Sequence, residues 1–153
     1  MDTTSLRQGY AELIAEARRG GFGQPPAGEW SAEQIIAHVA ANDELLAETT
    51  EHVLSGNRRA YYNHDAVDTA KLTEIVAAHG NLEALTDWLE KTSSRLVELA
   101  GRLDEKMPTM VHTTIRDGDL TRVDQPWPWP RAIKVQAGHH LPAHLAQLRA
   151  LRV

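Results

Sequence analysis

Eight histidines and no cysteine limit the side-chain chemistry open to this 153-residue chain. Two of the histidines, His140 and His144, stand four residues apart in GHHLPAHLAQLRALR. On a helix that spacing brings side chains together one turn apart, within reach of one ion. Counted at about 100° per residue from Ile133, His140 falls near 340° and His144 near 20°, within the stripe of Ala137, Leu141, Leu148 and Leu151. His139, at about 240°, faces nearer the outside. In WSAEQIIAHVAANDELL, a count from Ile35 puts His38 near 300°, on the flank of the apolar face, while Glu33, Glu44, Glu48 and Glu51 gather at roughly 160–220°.

A lone inward histidine is ordinarily a satisfied core or cleft residue. An inward pair is harder to accommodate, because two adjacent buried imidazoles need partners and resist protonation. A shared divalent cation satisfies both, and a third ligand from a facing helix, for which His38 is the obvious donor, completes a facial set. Three neutral nitrogens with open positions suit a catalytic-type zinc site, or one for nickel, iron or manganese. The spacing alone leaves packed histidines and metal ligands both open. His79, on an apolar edge near Val76, reads as a packed residue, a fourth ligand or an outer donor. His64 reads as a loop residue or the border of a cleft. His52 lies near a solvated face, and His112 has no evident partner.

Four long segments position these residues. The first runs from about Thr4 to Arg19 on Leu6, Tyr10, Leu13 and Ile14, and is ended by Gly20, Gly21, Gly23 and Pro25-Pro26. The second opens on a capping box, with Ser31 as N-cap and Gln34 at N3, and with Trp30 placed for a staple on Ile35. It stops at Gly56-Asn57. The third extends from about Thr69 to Leu103, where Gly80-Asn81 is a point of break or bend. Carried straight through, its phase sets Glu83 inward, near 20°. The fourth runs from about Arg131 to Leu151, with Pro130 in its first turn and a bend expected at Pro142, whose ring crowds the carbonyl of Gly138. Between the last two helices, Val111–Arg116 and Asp119–Val123 read as strands joined at Asp117-Gly118. Asn57–Asp68 reads as a polar loop. Together these describe an all-α, single-domain four-helix bundle with a small β-hairpin or irregular insertion before the last helix.

Composition removes several classes. A net charge of −5 and the lack of a recognition-helix motif argue against a nucleic-acid partner. No apolar run approaches the roughly 20 residues of a membrane span, and the N-terminus has no signal-peptide core. A cytoplasmic protein is expected.

The stretches Trp30–Leu46 and Gly138–Arg152 together make the chain resemble the DinB-like, or YfiT-like, metalloproteins. These four-helix bundles include the N-terminal domains of mycothiol-dependent maleylpyruvate isomerases and the bacillithiol S-transferases. The resemblance places the family's metal histidines on His38, His140 and His144. It implies a divalent metal, zinc foremost, and a low-molecular-weight thiol, mycothiol-like, that is activated to attack a small electrophile. It further implies a small-molecule substrate and, since such relatives are often homodimers, a homodimer. Trp88 would suit that interface, or cover the long connection instead. A chain without cysteine fits a sulfur supplied by a cosubstrate, although such chains are ordinary in the cytosol.

Around that site, Trp127 and Trp129 offer rigid indole faces, as a pocket wall for an apolar electrophile or as packing at the bundle end. Tyr61, Tyr62 and Asn63 read as plain loop packing or as a cover over the same end. Asn42, near 340° and one turn past His38, reads as a contact to ligand or substrate or as a core amide. Arg131 reads as a partner for a cofactor carboxylate or as a surface residue. These four, Asn42, Trp127, Trp129 and Arg131, are the candidate cofactor-binding residues. The leading function is a thiol transferase or isomerase. The alternatives are a metal-dependent hydrolase using a metal-bound water, which needs a nearby base, and a non-catalytic metal-binding bundle. Few inward acids are expected, which favours the thiol.

Overall fold

The computed structural model describes residues 1–57 and 59–153. Helix α1 (Thr4–Arg19) ends where Gly20 takes a φ of 64°. Helix α2 (Ala32–Leu54) begins on the expected capping box: Gln34 N–H donates to the Ser31 hydroxyl at 3.2 Å, and Ser31 N–H to Gln34 Oε1 at 2.9 Å. The next segment differs from the simple loop expected. It contains a two-residue strand β1 (Tyr61–Tyr62) and one turn of helix α3 (His64–Val67). Neither has a sequence period of its own; β1 exists because it pairs in parallel with a strand fifty residues on, Tyr61 opposite Thr113.

The third segment breaks rather than bends. Helix α4 (Thr69–His79) stops at Gly80, whose φ of 92° is closed to most side chains, and α5 (Leu82–Gly101) restarts on an Asn81 cap that accepts from Ala84 N–H at 2.8 Å. The break resets the helical phase, so Glu83 is exposed and not inward. The hairpin is β2 (Met110–Asp117) and β3 (Leu120–Pro128), with Asp117 paired to Leu120. Its two loop residues are therefore Gly118 and Asp119, one position later than expected, with Gly118 taking the positive φ of 58° and a register shift at Ile115/Arg116.

The last segment is one continuous helical run: α6 (Trp129–Val135), a π-helical turn (Gln136–His140) and α7 (Leu141–Ala150). Leu141 N–H reaches back to the carbonyl of Gln136, five residues away. Pro142 has no N–H to give Gly138, and the wider turn makes room where an α-helix would clash. The expected bend thus takes the form of a π bulge.

Helix α2 packs along α5, and α1 against α5 and α7. The shared core holds Leu13, Ile35, Ile36, Leu89, Ile133 and Leu148, all fully buried. The architecture is a mostly helical bundle with a three-stranded sheet (order β1-β2-β3) before the final helix, as expected. Among the described residues, no helix is long and apolar enough to cross a membrane.

Candidate metal centre

His38, His140 and His144 converge. His38 comes from the second turn of α2, His140 from the end of the π turn and His144 from the first turn of α7. The Nε2 atom of His140 lies 2.8 Å from that of His38 and 2.9 Å from that of His144. One donor atom from each ring lies within 4.8 Å of the others. The rings meet edge to face, with centroids 4.5–4.9 Å apart.

The opposite edge of each ring is already committed. His38 Nδ1–H donates to the carbonyl of Ala66 at 2.6 Å, His140 Nδ1–H to Gln136 Oε1 at 2.7 Å, and His144 Nδ1–H to Gln147 Oε1 at 2.8 Å. A neutral imidazole has one N–H. With that proton spent on oxygen, each ring turns a bare Nε2 lone pair into the cluster, where that of His140 lies between those of His38 and His144.

Protonation does not relieve this arrangement. Burial, then the neighbouring His144, pushes His38 down to about 3, against a smaller raising effect of the Ala66 carbonyl. Burial and the two other rings hold His140 well below the ordinary histidine range. Burial lowers His144 too, partly offset by Gln147. Three neutral lone pairs gathered within 4.8 Å, with no proton between them, are what a cation would satisfy. Nitrogen donors about 2.1 Å from one ion sit roughly 3.0 Å apart at right angles and roughly 3.4 Å apart at tetrahedral angles, so the two separations through His140 are near the first and need a small opening for the second. The residues fit a divalent ion on three nitrogens.

Trp30 covers the cluster, its ring centroid 4.9 Å from His38 and 6.4 Å from His144. On another side a cavity of about 80 Å³ reaches His140, with Asn42, Tyr61, Asn63, Ile115 and Gln136 among its lining. Asn42 is buried, and its Oδ1 accepts from the Tyr61 hydroxyl. Asn63 is fastened to β2, donating to the Arg116 carbonyl at 3.0 Å and accepting from Arg116 N–H at 2.8 Å.

The other candidates sit elsewhere. Trp129 is fully buried, packs on Tyr61, and gives its indole N–H to the Thr50 hydroxyl at 2.9 Å, so no face is left for a ligand. Trp127 is buried in the core, and the Arg131 guanidinium lies 4.4 Å over its ring, outside the cavity. His79 bonds to the Ile75 carbonyl and stacks on Trp88 at 4.7 Å, so Trp88 covers α4. His64 stacks on Tyr62, and His112 pairs with Asp124 at 2.7 Å.

Sequence reasoning missed Gln136 and Asp43, both buried. The expectation of few inward acids overlooked Asp43, which the same count from Ile35 places near 80°; Gln136, counted from Ile133, falls near 300°.

Neither a comparison with protein-family models nor one with curated proteins finds a match to the chain. Solved structures do. The fold is similar to that of the mycothiol-dependent maleylpyruvate isomerase. The chain matches its crystal structure with a TM-score of 0.71 at 21% identity, covering 98% of this chain and 60% of that one. It matches a histidine-to-alanine mutant of the isomerase with a TM-score of 0.70 at 20% identity, with the same coverage. The chain therefore spans 60% of the isomerase's length. At such identity the likeness speaks to the fold alone.

Proposed function

We propose that this chain is a divalent-metal-dependent transferase or isomerase that activates a low-molecular-weight thiol for attack on a small electrophile. The single observation that supports it most is the convergence of three bare Nε2 lone pairs, each fixed by an Nδ1–H bond to oxygen. The histidines His38, His140 and His144 would hold the ion, zinc foremost. When bound, it supplies Lewis acidity that stabilises a thiol in its deprotonated form and orients it.

The chain's own groups divide the remaining work. The three histidines stay neutral and bring no competing charge to the site. Trp30 keeps bulk water from His38 and His144 on one side. The cavity beside His140 receives part of the substrate, with the Asn42 amide held by Tyr61 as its buried polar group. At about 80 Å³ it takes only a fragment of a thiol or electrophile. The bulk of a mycothiol-like molecule would lie outside, over the sheet insertion.

The thiol reading is favoured over a hydrolase because Asp43, the inward acid of α2, bonds to Tyr10, Thr92 and Gln136 and not to the histidine cluster. It is not placed to serve as a base there. The mycothiol-like cosubstrate is carried over from the isomerase of similar fold, which is mycothiol-dependent. The test is cobalt-substituted protein titrated with mycothiol, glutathione or a simple alkyl thiol. A thiolate-to-cobalt charge-transfer band that saturates with one of them is expected, and is absent from His144→Ala. A cobalt spectrum unchanged by every thiol would overturn the reading.

A further inference from the structure

From His140 Nδ1 a chain of buried polar groups runs into the bundle core. Gln136, whose oxygen accepts from His140, turns its Nε2 to the Tyr10 hydroxyl at 3.1 Å and to Asp43 Oδ1 at 3.4 Å. The Tyr10 hydroxyl donates to the same Asp43 oxygen. Asp43 Oδ2 lies 3.0 Å from the Thr92 hydroxyl, which is also 3.1 Å from the Leu89 carbonyl. Asp43 is fully buried, and among the described residues no lysine or arginine pairs with it. A core carboxyl without a cation is costly, and an apolar residue would suit stability as well or better. Its partners point to another role.

That role lies in the orientation of one amide. The Tyr10 proton goes to Asp43, so the Tyr10 oxygen can only accept from Gln136. Asp43 Oδ1 is likewise an acceptor in either charge state. An ionised Asp43 accepts through both oxygens. A neutral one carries its proton on Oδ2 toward Thr92, which passes its own to Leu89. Gln136 must therefore present its NH2 to this pair and its oxygen to His140. A flipped amide would set oxygen against oxygen at Asp43 and an N–H against His140 Nδ1. The ring would then carry its proton on Nε2, the atom that faces His38 and His144.

We propose that Tyr10 and Asp43 are positioning residues for the metal centre: they lock the Gln136 amide, which fixes His140 as the Nδ1–H tautomer and keeps its Nε2 bare for the ion. The inference rests on the metal reading above, and on the π turn that sets Gln136 and His140 on the same inner face. Outer-shell partners of this kind typically carry 10–100-fold in metal affinity.

The test uses four variants of the full chain, with zinc affinity read by competition with a chromophoric chelator and folding by circular dichroism. Gln136→Met is expected to bind zinc about 10–100-fold more weakly while keeping its helix content. Asp43→Leu should lose as much, whereas Asp43→Asn, which keeps an acceptor oxygen facing Gln136, should stay within about threefold of wild type. If Asp43→Leu does not fold, Tyr10→Phe, which removes the other acceptor, is read in its place and should also weaken binding. Nitrogen-15 spectra of the histidine rings in metal-free protein give a readout independent of zinc. They should show His140 with its proton on Nδ1 in wild type and Asp43→Asn, moved toward Nε2 in Gln136→Met. A wild type that binds no zinc overturns the metal reading, while the ring spectra still judge the tautomer. A wild type that binds one equivalent, beside a Gln136→Met variant with equal affinity or an unchanged ring spectrum, overturns this inference alone.

Discussion

Acidification of the metal-free protein should weaken it through His38 in a calculable way. The folded-state value of about 3 lies below the ordinary 6.5, chiefly because the ring is buried. Between those values the unfolded chain binds a proton that the native ring refuses. The contribution of His38 to stability is therefore whole above 6.5 and falls as pH drops through the window, at about 1.4 kcal/mol per unit. From pH 6 to pH 4 that amounts to about 2.5 kcal/mol. His140 and His144 act in the same direction. Asp43 opposes them, because burial raises its carboxyl and the native state keeps a proton that the unfolded chain releases as pH rises. The quantity to read is thus a difference: urea unfolding of chelator-treated wild type and His38→Gln at pH 6, 5 and 4. The variant should lose about 2.5 kcal/mol less than wild type over that range. Parallel stability curves would refute the reasoning. A divalent ion at a hundred times its dissociation constant should restore about 2.7 kcal/mol to wild type and nothing to the variant.

Three further outcomes follow from packing and local geometry. Ser31→Ala removes the capping box of α2 and should cost about 1 kcal/mol in urea unfolding, with the helix otherwise intact. Leu89→Ala opens a cavity at a fully buried position facing α2, and should cost roughly 2–5 kcal/mol by the same assay. Pro142→Ala restores an N–H able to reach Gly138, so the π turn can tighten toward an α-helix and rotate His140 out of register with His144. Weaker zinc binding with unchanged helix content is expected, and equal affinity would show that the π turn does not depend on the proline.

The part of this site written in local periodicity was legible in the sequence. His38 lies on a stripe that α2 preserves, His140 and His144 stay neighbours at a four-residue spacing even though a π turn precedes them, and the capping box at Ser31 specifies its own hydrogen bonds. What depended on distant partners was not legible. Strand β1 is two residues long and forms only because β2 arrives beside it. The depth of Trp129 comes from Thr50 on α2, which its Trp-Pro surroundings do not reveal. Glu83 was misplaced because a phase counted through Gly80 assumes a helix that Gly80 ends. Asp43 and Gln136 fell on inward angles, yet a carboxylate and an amide in a core make sense only once Tyr10, from α1, is beside them.

The most direct measurement is an anomalous difference map from crystals of the protein grown with one equivalent of zinc and no chelator. One dominant peak is expected, about 2.0–2.1 Å from Nε2 of each of His38, His140 and His144. A peak bound elsewhere, or zinc density that misses any one of those three nitrogens, would contradict the metal centre.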